Sequence, residues 1–438
     1  MSQGIIKTKT TEVSTNRSRL LAVSGIIFST TVMSAASGLL FAYVPTKLLD
    51  LGFEPWVAAA MTPAVALGGL FGCFAIGPLL RNSGHARIFM LLYALIEMSM
   101  LTVAAFASPW IWLAARVGYG FAINGVFILA QSWLHNAVTD EIRGKVISIF
   151  YLGYVLGYGV GSFSIGYLDV EGNIVPMIAT FIVAIATIPV ALTRLPQPEP
   201  PEAITVDIKK VWSISPVGLA GMFTVGGVTM LMQSFAPIYA KTEGFSTADV
   251  GLLMLCMQLG LLVVQFPMGA LSDRIDRRFV LLIVSAGACI ISIFGLSTHG
   301  YLSFMMMVLM FAIWNGCNET LYSVSSALAN DRADPSQYVL LSSTQMITWS
   351  IAAFIFPTIA TIALPFVPIQ SFMGICGAIV LVFGIFIFYR INQRSEEVPP
   401  DERDNVLPGT ALVVNPGDYS NPDAYEDEDA GSTSGLVS

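Results

Sequence analysis

The sequence predicts an all-α membrane protein of twelve transmembrane helices, arranged as two pseudo-symmetric bundles of six. Three observations carry this. The 438-residue chain is 55% apolar and only 11% charged, with a mean hydropathy of +0.72, outside the balance of soluble globular proteins. Its apolar residues gather into runs of about 20 or more, the length a helix needs to cross a ~30 Å hydrocarbon core. Features of the first half also recur at one fixed offset in the second.

Residues 1–19 are polar, with Lys7, Lys9, Arg17 and Arg19, and read as a cytoplasmic N-terminal segment. The apolar run from Leu20 contains Ser34-Ala35-Ala36-Ser37-Gly38, small residues of the kind found at signal-peptide cleavage sites. Apolar character continues to Val44, however, so the run reads as a retained first helix. The other predicted spans are 56–80, 87–107, 110–134, 145–168, 173–193, 215–240, 246–271, 279–297, 301–327, 337–363 and 367–390. The stretch 194–214 holds Pro196, Pro198, Pro200, Pro201, Lys209 and Lys210. It is the expected cytoplasmic linker between the bundles 20–193 and 215–390.

Residues 391–438 form an acidic tail. From Ser395 onward eleven acids face the single Arg403, so this part carries −10 and the rest of the chain +2 of the net −8. Such composition predicts disorder. With both termini placed in the cytoplasm, every Lys and Arg except Lys47, Lys241 and Arg116 falls on the cytoplasmic side. That is the positive-inside pattern of a multi-pass protein of an inner or plasma membrane.

The repeat supports the division. Pro45, Gly52-Phe53 and Gly77 recur 192 residues later as Pro237, Gly244-Phe245 and Gly269. In each half the proline is expected to end the first helix, Gly-Phe to enter the second, and the glycine to end it.

Other chemistries lack residues. Cys73, Cys256, Cys289, Cys317 and Cys376 stand singly in apolar runs, with no metal-ligand or disulfide spacing. Gly144-Lys145 lacks the first glycine and the hydroxyl of a phosphate-binding loop. No nucleophile–base constellation is present, so an enzyme, a metal, a cofactor and a nucleic-acid partner are not expected.

An ionisable group inside a span costs several kcal/mol and needs a reason. Three stand out: Glu97, Arg116 and Glu319. Arg116 lies about 9 Å along the fourth span and Glu97 about 15 Å into the antiparallel third, a depth difference of roughly 6 Å. A direct or water-bridged pair is therefore feasible, with a structural role favoured for Glu97. Glu319 sits beside Asn315 and Asn318 on one face of the tenth span, with no cation near it in sequence. A buried acid of this kind suits a proton carrier or a substrate contact, and the alternative is a satisfied polar contact between helices. Asn124 and Gln131 share a face of the fourth span, Gln258 and Gln265 one of the eighth, and Gln233 stands alone in the seventh. These amides are either glue between helices or substrate contacts. Gly153, Gly157 and Gly161 form a small-residue stripe, expected to serve a sliding contact between the halves.

The loop Gly269-Ala270-Leu271-Ser272-Asp273-Arg274-Ile275-Asp276-Arg277-Arg278 joins two spans. Arg274, Arg277 and Arg278 are expected to anchor at lipid headgroups. Asp273 gains little from that surface and reads as a partner for an Arg or a cap for the next helix.

The string Gly-x-x-x-Asp-Arg-x-x-Arg-Arg (Gly269, Asp273, Arg274, Arg277, Arg278) resembles the signature loop of the major facilitator superfamily. Arg116-Val117-Gly118-Tyr119-Gly120 resembles its fourth-helix motif, with Tyr119 where a Gln is usual. Gln131-Ser132-Trp133-Leu134, Arg143-Gly144-Lys145, Trp314-Asn315-Gly316 and Asp331-Arg332 resemble a bacterial branch typified by YcaD-like transporters. There an acid commonly stands in the place of Gln131. In the first half Arg81 stands where Asp273 stands in the second, so the first copy of the loop is degraded.

The resemblance implies a monomeric secondary transporter in the lipid bilayer, moving a small organic solute by alternating access. It implies substrate contacts from Asn124, Gln131, Gln233, Gln258, Asn315 and Asn318 around a cavity between helices 1, 4, 7 and 10. Proton coupling falls to Glu319, Arg116 and Glu97, and the 269–278 loop becomes a conformational switch. A solute-binding sensor of the same fold, or a lipid transporter, are the competing expectations.

Overall fold

The computed structural model describes residues 2–138, 140–192, 206–298, 300–334 and 337–393. Side chains before Val23, and those of residues 135, 136, 140, 141 and 339, fall outside the description. Most of the expected tail and the proline-rich part of the linker lie outside the described residues.

Twelve long helices follow in order among the described residues: α1 (Ser2–Asp50), α2 (Pro55–Ser83, interrupted at Ala60), α3 (His85–Ala105), α4 (Pro109–Ala137), α5 (Asp140–Ser164), α6 (Ile174–Ala191), α7 (Pro216–Thr242), α8 (Thr247–Ser272), α9 (Arg277–Ser297), α10 (Phe304–Asn330), α11 (Tyr338–Ala363) and α12 (Ser371–Gln393). A short helix, Ile208–Ile214, precedes α7 and is capped by Asp207. Eleven of the twelve are long and apolar enough to cross a membrane. The other, α10, is 27 residues long, and its polar cluster around Asn315, Asn318 and Glu319 lowers its apolarity.

Side-chain oxygens start several helices where backbone N–H groups lack partners. Ser246 and Asp249 form a capping box at α8, and Ser215, Asp276 and Ser303 cap α7, α9 and α10. The ends of α1 and α7 share one bond pattern, displaced by 192 residues. Gly52 and Gly244 sit at φ +80 and +89. The Phe53 N–H reaches the Leu48 carbonyl at 3.0 Å and the Phe245 N–H that of Ala240 at 3.1 Å. This is a left-handed glycine stop, and it ends both helices.

The prolines do not end them, against the expectation. Pro45 and Pro237 lie inside α1 and α7. Each lacks an N–H, which leaves the carbonyls of Phe41 and Gln233 without their i+4 donors. Gly77 and Gly269 likewise sit within α2 and α8 rather than after them.

The two halves repeat one packing scheme. In the first, α1 packs on α5 and α6, α2 on α4, and α3 on α4 and α6; in the second, α7 packs on α11 and α12, α8 on α10, and α9 on α10 and α12. Between halves, α5 meets α8 and α2 meets α11. Gly68 of α2 and Gly260 of α8, again 192 apart, let backbones touch. A Cβ there would fall 1.9 Å from the Val117 carbonyl oxygen and 2.0 Å from that of Ala312.

The glycine stripe of α5 differs from expectation. Gly153, Gly157 and Gly161 face Thr31, Ser34 and Ala35 of α1, inside one half. The surface of α5 toward α8 is instead marked by Gly159, beside Leu255 and Gln258. Helical periodicity separates the two: Gly159 lies about 200° around the axis from either Gly157 or Gly161. Outward faces carry a lipid-ready belt, with Phe181, Ile188, Ile290, Val382 and Ile385 all more than half exposed.

Candidate functional site

A cavity of about 280 Å³ lies between the halves. Its described lining comes from α1, α2, α4, α5, α7, α8, α10 and α11, and not from α3, α6, α9 or α12. Most of it is apolar or aromatic: Phe41, Tyr119, Phe127, Tyr151, Tyr154, Tyr158, Tyr322 and Trp349 all line it. Glu319 is the single carboxylate among the described lining residues.

Glu319 is held across two helices. The Thr229 hydroxyl on α7 donates to Glu319 Oε1 at 2.9 Å, and the Asn318 amide donates to Thr229 Oγ1 at 2.6 Å. Thr229 therefore relays an amide donor to the carboxyl, and Asn318 also reaches the carboxyl itself. A carboxyl with one oxygen tethered and no cation on it can exchange a proton without breaking an ion pair.

Arg116 lies on the α4 face that also carries Tyr119, Gly120, Ile123 and Asn124, and is only 1% exposed. Its guanidinium carbon stands 4.4 Å from the Phe41 ring centre and 5.0 Å from that of Tyr119. Nε and Nη1 have no hydrogen-bond partner. The expected pair with Glu97 is absent. Glu97 turns toward Thr187 on α6, whereas Arg116 turns toward α1. Only the neighbouring Ala115 carbonyl meets α3, accepting from Ser99 Oγ at 2.6 Å. Similar depth does not bring two side chains to one side of a helix.

The amides divide. Asn124, Gln233 and Gln258 line the cavity. Asn124 also donates to the Gly69 carbonyl at 2.6 Å, fastening α4 to α2. Asn315 is not among the lining residues; its amide donates to the Met257 carbonyl at 2.9 Å, joining α10 to α8. Asn318 is fully buried and bound to Thr229, and Gln131, further along α4, does not line the cavity.

The 269–278 loop is an ion-pair node. Arg277 is fully buried, its Nε donating to Asp331 Oδ2 at 2.6 Å and its Nη2 to Oδ1 at 3.2 Å. Asp273 adds a contact at 3.3 Å, so of its two expected roles it takes that of partner. The cap of α9 is Asp276, which also binds Arg278 at 2.8 Å. Arg277 and Arg278 are therefore not headgroup anchors, because both are folded inward onto acids; Arg274 alone of the three is exposed.

The sequence profile of the Major Facilitator Superfamily matches residues 26–249 and 217–420. The chain belongs to the Major Facilitator Superfamily. It is 22% identical over 342 residues to the uncharacterized MFS-type transporter YcaD of Escherichia fergusonii, covering 77% of this chain and 87% of that one. YcaD of Salmonella dublin is 20% identical over 344 residues. The nucleoside transporter NupG superposes with a TM-score of 0.69 at 11% identity, over 85% of this chain and all of that one. A bacterial homologue of the human lysosomal transporter Spinster, solved inward-facing and occupied, gives 0.68 at 15% identity over 89% and 98%. At such identities the solved structures speak for the fold. Superfamily membership makes this a membrane transporter rather than an enzyme.

Sequence reading toward superfamily chemistry picked the amides and acids and missed the tyrosine wall. Its signal was present: Tyr151, Tyr154, Val155 and Tyr158 recur at i, i+3, i+4 and i+7 on α5. Thr229 was also missed, since a lone threonine in an apolar span carries no pattern. At one end of the bundle Asp50 of α1 and Lys241 of α7 form an ion pair at 3.1 Å across the halves. About two turns from Lys241 along α7, the Ser234 hydroxyl donates to the Ala59 carbonyl of α2 at 3.1 Å.

Proposed function

We propose that this chain is a secondary active transporter that carries a small organic solute across an inner or plasma membrane by alternating access, driven by protons. The carrying observation is Glu319, the single carboxylate among the described residues of the cavity wall, bridged to α7 through Thr229. Protonation at that point changes a contact between two helices that both border the cavity, which couples a proton to helix position. Asn124, Gln233 and Gln258 are the assigned substrate contacts. Asn315 and Asn318 serve by holding α10 in place.

In this reading both termini are cytoplasmic, bundles 20–193 and 215–390 rock about the cavity, and 194–214 is the cytoplasmic linker between them. The segments 1–19 and 391–438 flank the monomer inside. The Asp50–Lys241 pair lies on the outer face and the Arg277–Asp331 node on the inner one. The matching stops and packing of the two halves support rigid-body movement of one against the other.

The test is reconstitution. Purified protein in proteoliposomes is to show saturable counterflow of a labelled solute, and uphill accumulation when an inward proton gradient is imposed. Counterflow that ignores the gradient removes the proton; binding without counterflow removes transport.

A further inference from the structure

We infer that the transported solute carries one carboxylate on an apolar body, and that Arg116 and the Tyr158 hydroxyl bind that carboxylate. This rests on the transport reading and names its substrate class.

Arg116 is 1% exposed, and no acid among the described residues pairs with it. Its Nε and Nη1 point at no acceptor. Tyr158 of α5, 7% exposed and part of the cavity wall, has a hydroxyl that is also without a partner. A buried guanidinium lacking a counter-ion is expensive, and the rings of Phe41 and Tyr119 offset only part of that through their π-faces. A carboxylate would supply what is missing: two acceptor oxygens for the guanidinium fork and a third bond from Tyr158. Phe41 and Tyr119 line the cavity and cover the guanidinium from it. On this inference the Phe41 side chain turns aside when the solute binds, and the aromatic wall receives the apolar body.

Glu319 does not serve as the counter-ion, since its carboxyl is bound to Thr229 on α7. Glu319 lines the cavity itself, whereas Arg116 lies behind the lining rings of Phe41 and Tyr119. A monoanion entering with one proton would move no net charge, so membrane potential would leave its flux unchanged.

The experiment is thermal unfolding of the purified full-length protein, followed by tryptophan fluorescence. The probes are hydrocinnamate, phenylacetate, indole-3-acetate and octanoate, each beside its neutral primary amide. The expected result is stabilisation by at least one acid at tenfold or lower concentration than its amide. Arg116→Gln is to abolish the difference, Arg116→Lys to reduce it, and Tyr158→Phe to weaken acid binding several-fold. The wild-type comparison of acid with amide stands even where a variant fails to fold. Equal protection by the amides, no protection by any acid, or unchanged acid binding in Arg116→Gln would each overturn the inference. So would chloride or phosphate alone giving the full effect, since an inorganic ion would then be the occupant. Acid binding with no counterflow in vesicles keeps the carboxylate site at Arg116 and removes transport.

Discussion

Thr229 of α7 and Glu319 of α10 share a hydrogen bond of 2.9 Å at the cavity wall, and Asn318 donates to the same hydroxyl. Substituting Glu319→Gln keeps the size and the bond to Thr229 while removing the exchangeable proton. The expected variant retains solute counterflow and loses accumulation under a proton gradient. Thr229→Val deletes the relay at a cost of about 0.5–1.5 kcal/mol, which appears as a roughly 2–10-fold slower flux. Initial rates in proteoliposomes check both.

Arg277 and Asp331 are 0% and 4% exposed in the side chain, so each depends on the other for its burial. Arg277→Ala takes the guanidinium fork away from a buried carboxylate and is expected to cost up to about 3–5 kcal/mol. Arg277→Lys should restore little, because a lysine has no fork to meet both oxygens. Arg277→Gln with Asp331→Asn should be milder than the sum of the single changes. Thermal midpoints of the four proteins form the cycle that measures this coupling.

Small residues at close approaches give a sharper contrast. An added methyl at Gly68 or Gly260 meets a backbone oxygen at 1.9 or 2.0 Å, and a backbone atom cannot rotate away. Gly68→Ala and Gly260→Ala are each expected to cost at least about 1–3 kcal/mol. Gly77→Ala meets nothing within 4 Å and should be neutral or stabilising by up to about 1 kcal/mol. The melting temperature of each variant in detergent decides.

Spans and the repeat were legible because helix length against a bilayer and a fixed offset are one-dimensional signals. Gly52 and Gly244 read in the sequence as entries to the second helix of each half and prove to be the stops of the first, a role that sequence reading assigns to Pro45 and Pro237. A proline in a long apolar helix can be carried by its neighbours. The site was legible as residue types and less so as contacts. Glu319 could be picked from one span, but its tether on Thr229 lies 90 positions away in sequence. Depth along a helix suggested a Glu97–Arg116 pair; rotation about the helix axis placed them apart. Arg277 looked like a headgroup anchor because Asp331, its partner, comes 54 residues later.

The Asp50–Lys241 pair joins the halves at one end, with side chains 41% and 21% exposed. A partly exposed pair contributes about 0.2–1 kcal/mol. Lys241→Gln is therefore expected to raise the population open at that end by a factor of about 1.5–5. The labelling rate of Gln233→Cys by a membrane-impermeant thiol reagent, added from the side of the Asp50–Lys241 pair, should rise accordingly.

Alternating access is tested most directly by the distance between the ends of α1 and α7 that carry Asp50 and Lys241. Spin labels at Leu51→Cys and Glu243→Cys, in a background with the five native cysteines replaced, report that distance by pulsed electron resonance in lipid. The account predicts a short population, with the Asp50–Lys241 pair closed, and a longer one. Their ratio shifts with pH, and that shift is lost in Glu319→Gln. A single short distance at every pH, with or without solute, would contradict it.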